Sequence, residues 1–238
     1  MIKEAIILAG GLGTRLRSVI PDLPKCMAPV AGKPFLAYVI EYLHHQGIEN
    51  FIFSLGYKKE IIISFINSQY SIFNSQFSIE EEPLDTGGAI KLACNKATEK
   101  TVLIVNGDTL FKIDVNKLVM FHDMFGADCT LSLKPMQNFD RYGVVELNKD
   151  YSIKSFNEKK FYETGLINGG MYALHVQKFL NEYLPEKFSF EKEYLEKKLS
   201  LPENDKRRMY GVVQDEYFID IGIPEDYERA QRELGNKK

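Results

Sequence analysis

The stretch AIILAGGLGTRLRSVIPDLPKCM, Ala5 to Met27, decides the fold. It starts as an apolar run of strand length, passes into Gly10, Gly11 and Gly13, and then carries Arg15, Arg17 and Lys25. Glycines after a strand let backbone N–H groups approach phosphate oxygens with no Cβ in the way. Arg15 can fork onto a phosphate, and Lys25 can act on one as a point charge. Two common phosphate loops do not fit. The dinucleotide pattern G-x-G-x-x-G meets Leu16 where its third glycine belongs, and G-x-x-x-x-G-K-[ST] is absent. On these residues alone, a plain glycine turn with solvent-facing cations stays open.

Working outward, the first half alternates strand and helix patterns. Strands are expected at 4–9, 50–56, 77–82 and 101–107, and helices at 33–47, 58–69 and 87–97. Pro34 suits the first turn of its helix, and Gly47 can end it. Such alternation predicts an α/β fold of Rossmann-like, doubly wound type, with a mixed, mainly parallel sheet. The second half is richer in extended patterns, at 128–136, 142–148, 152–158, 166–174 and 216–222, with helices at 189–199 and 224–234. Ser189 and Pro224 mark their starts. No polar linker divides the chain, so 1–238 is expected to be a single domain. Its α/β half would run to about 126, and from about 127 a smaller β-rich half would add a sugar-sized pocket at one end of the sheet.

The bulk numbers exclude other classes. A net charge of −3 argues against a nucleic-acid partner. No apolar run reaches the roughly 20 residues of a membrane span, and Ile2 to Ala9 leads straight into the glycines, so neither a membrane partner nor a leader is expected. Cys26, Cys94 and Cys129 are scattered, which suits reduced thiols in a cytoplasm better than a disulfide framework or zinc. His44, His45, His122 and His175 form no ligand pattern. The charged run at 191–199 reads as a solvated helix face.

In a parallel sheet, ligands bind beyond the carboxyl ends of the strands. VLIVNGD (102–108) and YFIDIGIPEDY (217–227) each put an aspartate, Asp108 or Asp220, at a strand end, where the pair could share one divalent metal. Each could equally be a turn former. EEPLDTGGAIK (81–91) places Gly87 and Gly88 at a helix start whose N–H groups would favour an anion or a base carbonyl.

LAGGLGTRLRSVIPDLPKCMAPVAGKP resembles the signature of the sugar-1-phosphate nucleotidyltransferases: G-x-G-T-R-L, then P-K, then G-K-P. The resemblance runs over nearly the whole chain and is nearest to the heptose-1-phosphate guanylyltransferases. It implies a glycosyltransferase-A-like fold and an enzyme that joins a nucleoside triphosphate, GTP favoured, to a sugar 1-phosphate. The implied cofactor is Mg²⁺ on Asp108 and Asp220. Arg15, Lys25, Asp108 and Asp220 would be catalytic. Leu8, Ala9, Gly10, Gly11, Gly13, Thr14, Glu82, Pro83, Thr86, Gly87 and Gly107 would bind the nucleotide, with Glu82 reading the base. Tyr142, Gly143, Glu158, Lys159, Asn168 and Gly169 would bind the sugar phosphate, with Lys159 on its phosphate. Asp85 stands where the family has glycine, and Lys160 where it has proline. The alternatives are a mannose-1-phosphate guanylyltransferase, a uridylyl- or cytidylyltransferase, and a non-catalytic sugar-nucleotide-binding regulator. With no hexapeptide repeat present, a monomer or homodimer is expected rather than a β-helix trimer.

Overall fold

The computed structural model describes residues 2–11, 13–16, 19–199 and 208–235, and only the backbone of Thr14 and Lys198. Arg17, the loop's second arginine, therefore lies outside the described residues. The strands are β1 (Glu4–Leu8), β2 (Pro29–Val30), β3 (Lys33–Pro34), β4 (Asn50–Leu55), β5 (Asn74–Ile79), β6 (Thr101–Asn106) and β7 (Thr109–Phe111) in the first half. They continue as β8 (Cys129–Phe139), β9 (Val144–Leu147), β10 (Ile153–Asn157), β11 (Tyr162–His175), β12 (Met209–Val213) and β13 (Phe218–Asp220). The helices are α1 (Phe35–His45), α2 (Lys59–Gln69), α3 (Asp85–Cys94), α4 (Val115–Met124), α5 (Val176–Leu180), α6 (Lys197–Leu199) and α7 (Pro224–Gly235). A π-helical stretch, Phe190–Glu196, runs into α6.

The main sheet holds the parallel order β5-β4-β1-β6, to which β11 adds antiparallel beside β6. Strand residues alternate between two cores, as the two-residue strand period requires. Ala5, Ile7, Phe51, Phe53, Leu103 and Val105 face α1, α2, α4 and α7. Ile6, Ile52, Val102 and Ile104 face α3, α5 and the π-helical stretch. Both faces are covered, so these strands read as continuous apolar runs. The charged exception is buried Glu4, whose carboxylate accepts from Thr98 N at 2.9 Å, Thr98 Oγ1 at 3.1 Å and Glu99 N at 3.0 Å.

From β1 the chain winds one way through α1 and α2 to β5, then returns through α3 on the other face to β6. The winding reverses between β1 and β6. A switch point of this kind opens a crevice at the carboxyl ends of the two strands. Ala9 and Gly107 leave the sheet there, tied by Ala9 N to Ser54 O and Gly107 N to Leu8 O, both 2.9 Å.

Of the boundaries that differ from the sequence expectation, two bear on the site. The third strand is Asn74–Ile79, not 77–82, because it pairs in register with β4 from Asn50↔Asn74 to Leu55↔Ile79. The carboxylates of 80–82 thus lie beyond it. The next helix starts at Asp85, not Gly87. Asp85 takes φ +57°, a left-handed conformation that aspartate tolerates and that suits the glycine position it fills. Among the described residues, no helix is long and apolar enough to cross a membrane.

Candidate active site

The crevice at the switch point is a cleft of about 200 Å³ lined by Leu8, Ala9, Gly11, Gly13, Arg15, Lys25, Cys26, Asp108 and Gly222. Seven of these nine are sequence-predicted site residues; Cys26 and Gly222 are additions. Gly13 shows why the loop needs glycine: φ is +58°, and an added Cβ would lie 2.8 Å from Lys25 Cβ. The loop therefore folds directly onto the lysine stem. Leu16, 2% exposed, pins it to the core.

Lys25 opens a short 3₁₀ turn, Lys25–Met27, after Pro24. Its Nζ donates to Asp108 Oδ2 at 2.5 Å and to Asp220 Oδ1 at 3.4 Å. The two aspartates, 112 positions apart, are brought together by a small ladder. β13 pairs antiparallel with β7, setting Asp220 opposite Thr109, the residue after Asp108. Ile221 N closes it by donating to Asp108 O at 3.1 Å. Burial pulls the Lys25 ammonium down, but the Asp108 and Asp220 carboxylates outweigh it and hold its pKa above the ordinary value. Asp220 is held up by burial, with Lys25 opposing and Asp108 adding to the rise. Burial and Asp108 push the Cys26 thiol up to about 12, so it is no nucleophile at neutral pH.

This arrangement is one ammonium facing two carboxylates, under a glycine loop with a second cation, Arg15, exposed at its rim. It can bind a polyanion and can hold a hard divalent cation on carboxylate oxygen. Gly222 keeps that corner open: a Cβ there would stand 3.0 Å from Asp220 Oδ1 and 3.1 Å from Lys25 Nζ. Among the described residues, no group of three His, Cys, Asp or Glu side chains is placed to hold a metal. Remaining ligands would come from phosphate and water.

Other predicted positions lie away from the cleft lining. Gly10 sits where a Cβ would be 2.9 Å from both Gly56 N and Glu80 Oε1, so it serves loop packing. Glu82 and Pro83 are exposed in the turn before α3. The helix-start reading of Gly87 and Gly88 is corrected: both N–H groups donate to Phe188 O, at 2.8 and 3.3 Å, and are not free for an anion or a base. Thr86 Oγ1 likewise accepts from Phe190 N at 3.0 Å. A Cβ at Gly87 would sit 2.2 Å from the Phe188 ring. Gly87→Ala is therefore expected to cost about 1–3 kcal/mol through overpacking, read as a lower midpoint in denaturant unfolding with an unchanged slope.

Among the positions expected to bind the sugar phosphate, Tyr142 OH donates to Asp220 Oδ2 at 3.5 Å, which ties this residue to the aspartate pair. Gly143 lies against Asn157 O and Gly169 against the Phe111 ring, each closer than a Cβ would permit. Asn168 Nδ2 donates to Tyr172 OH at 2.7 Å and to Glu191 Oε1 at 3.1 Å, while its Oδ1 accepts from Gly170 N at 3.1 Å. The strand bulges here, with a register shift between Asn168 and Tyr172. Glu158 and Lys159 are exposed between β10 and β11.

Two residues escape the sequence reading. Glu80 accepts from Leu84 N at 3.0 Å and lies against Gly10. Burial raises its pKa, with the Leu84 N–H opposing and Asp85 adding to the rise. The strand register would have marked it as the first of the three glutamates past the sheet. Glu191 belongs to the run read as a solvated face. Tyr194 and Leu195 of that run, and Phe190 just before it, are buried, and this packing turns Glu191 onto Asn168.

A family model described as nucleotidyl transferase matches residues 4–237. The chain belongs to this nucleotidyl transferase family. A relative from Aneurinibacillus thermoaerophilus, named D-glycero-alpha-D-manno-heptose 1-phosphate guanylyltransferase, is 51% identical over 231 residues, covering 97% of this chain and 98% of the relative. A Campylobacter jejuni relative of the same name is 46% identical, covering 94% and 96%. The crystal structure of HddC from Yersinia pseudotuberculosis complexed with GMP-PN is 38% identical, with a TM-score of 0.85 over 98% of this chain and 100% of that one. The mixed, mainly parallel sheet is thus the nucleotidyltransferase fold, and the chain is an enzyme of that family.

Proposed function

We propose that the protein joins GTP to D-glycero-α-D-manno-heptose 1-phosphate, giving GDP-heptose and pyrophosphate for a cell-surface glycan. The observation that carries the reaction type is the Lys25–Asp108–Asp220 cluster beneath the glycine loop. The base and the sugar rest on the names of relatives matched nearly end to end. Residues 1–238 act as one unit, a reading supported by β11 of the sugar half pairing with β6 of the nucleotide half.

The loop around Gly11 and Gly13 holds the triphosphate, with Arg15 on the pyrophosphate that will leave. Lys25, the enclosed cation of the cleft, neutralises charge that grows on the α-phosphoryl group. A phosphate oxygen of the sugar 1-phosphate bonds to the α-phosphorus. The bond to the bridging oxygen breaks, and pyrophosphate departs with that electron pair. The attacking phosphate is already ionised at neutral pH, so positioning replaces a general base. Asp108 and Asp220 suit Mg²⁺, which when bound supplies positive charge to the triphosphate and the reacting phosphoryl group. Lys159 binds the sugar phosphate, and Glu158 and Asn168 the sugar hydroxyls. Nucleoside triphosphate substrates and the three buried free thiols suit a cytoplasmic setting.

Glu82, exposed ahead of α3, is the candidate acceptor for guanine N1–H and N2–H. Competition among equal GTP, ATP, UTP and CTP, with products separated by mass, tests the reading. GDP-heptose is expected as the main product. Glu82→Gln is expected to reduce the preference for GTP about tenfold, the effect of losing one charge-assisted hydrogen bond. Full retention of that preference would remove Glu82 as the base reader.

A further inference from the structure

The described residues form a second pocket, of about 290 Å³, with Lys100, His122, His175, Lys178 and Arg208 on its walls. It lies at the other end of the sheet. Thr101 at the start of β6 lines this pocket, and Asn106 ends the same strand beside the nucleotide cleft. At ~3.3 Å per residue the two strand ends are about 17 Å apart.

Its charges are arranged rather than scattered. Asp128 takes Lys178 Nζ on Oδ1 at 2.5 Å and the Arg208 backbone N–H on Oδ2 at 3.1 Å, so both its oxygens are engaged. Lys178 Nζ also donates to Gly126 O at 3.2 Å. Among the described residues, no carboxylate pairs with Lys100 or with the Arg208 guanidinium. Asp123, the acid on the wall, is exposed to solvent, where water screens it. Gly126, at φ +54°, lets the guanidinium approach to within 3.4 Å of where a Cβ would be.

The histidines add a donor. His175 Nδ1 accepts from Lys178 N at 3.3 Å, which leaves the proton of the neutral ring on Nε2. Burial lowers the His175 pKa, and Lys178 and Lys100 lower it further, with Asp128 opposing weakly. The deeper His122 is pushed down to about 4 by burial, with Asp123 and Asp128 opposing and His175 and Lys178 assisting. Its Nδ1 lies 3.0 Å from Thr130 Oγ1.

We propose that this pocket is a second anion site, which takes a phosphate or diphosphate group on Lys100, Arg208 and the His175 Nε2–H. The anion supplies negative charge to two cations that no described carboxylate pairs, and accepts a hydrogen bond from the imidazole N–H. It occupies ground that the nucleotide cleft does not touch, so the inference stands independently of the reaction assigned above.

Histidine provides a selective reporter, because the nucleotide cleft is lined by none and the other two, His44 and His45, sit on α1. Imidazole resonances would be followed by NMR while sodium pyrophosphate, inorganic phosphate or mannose 1-phosphate is added at constant ionic strength. A saturable shift of His175 and His122, with His44 and His45 still, is expected. In Lys100→Ala/Arg208→Ala that binding should weaken about tenfold or more, as the loss of charged hydrogen bonds requires. Tightest binding of pyrophosphate would identify a diphosphate as the ligand, and tightest binding of the sugar phosphate a phosphomonoester. No saturable shift at millimolar anion, or an equal shift in the folded double variant, would overturn the proposal.

Discussion

Lys25→Ala is expected to lower kcat about a hundred- to a thousandfold, the usual cost of removing one preorganised charge donor from a reacting centre. The geometry makes this side chain hard to replace. Its stem is hemmed by Gly13, and its ammonium is held by carboxylates 2.5 and 3.4 Å away. Among the described residues, no second lysine lines the cleft, and Arg15 is exposed at its rim. Because the charge is needed most where negative charge grows, the loss should fall on kcat more than on KM. Steady-state kinetics of the folded variant would read this split. A loss below about tenfold would remove Lys25 from the chemistry.

Asp220→Asn is the second large effect. Asn keeps one carbonyl oxygen and the shape but loses the negative charge that a divalent cation seeks. The Mg²⁺ concentration for half-maximal rate is expected to rise by roughly ten- to a hundredfold, a range measured even for residues that only support metal ligands. Asp108→Asn should behave alike, since the β7–β13 ladder sets the two carboxylates on the same lysine. Direct titration with Mn²⁺ would separate binding from turnover. Unchanged metal dependence in both variants would place the metal elsewhere.

The nucleotide end of the molecule was legible because strand, glycines and cations are contiguous from Ala5 to Met27. Four apolar strands set the parallel core, and the structure moves their ends by a few residues only. The pairing of Asp108 with Asp220 was half legible. Each stands at a strand end, but the ladder that joins them is three residues long on each side, too short for any period to register. Helix α4 went unread although Asp114 caps it by accepting from Lys117 N, because Met120 and Met124 point outward and blur its apolar stripe. The helix start at Gly87 misled because glycine there admits an aromatic ring. Only the fold reveals that Phe188, a hundred residues on, fills the space. Glu191 was hidden for the same reason: its partner Asn168 is brought to it by tertiary packing.

Pyrophosphate release is the direct readout of nucleotidyl transfer from GTP to a heptose 1-phosphate. GTP, ATP, UTP and CTP would each be paired with the 1-phosphates of heptose, mannose, glucose and N-acetylglucosamine, in the presence of Mg²⁺. GTP with D-glycero-α-D-manno-heptose 1-phosphate is expected to have the highest kcat/KM of the grid, and omitting either substrate to abolish release. Folded protein that binds GTP yet releases no pyrophosphate with any pair would contradict that expectation.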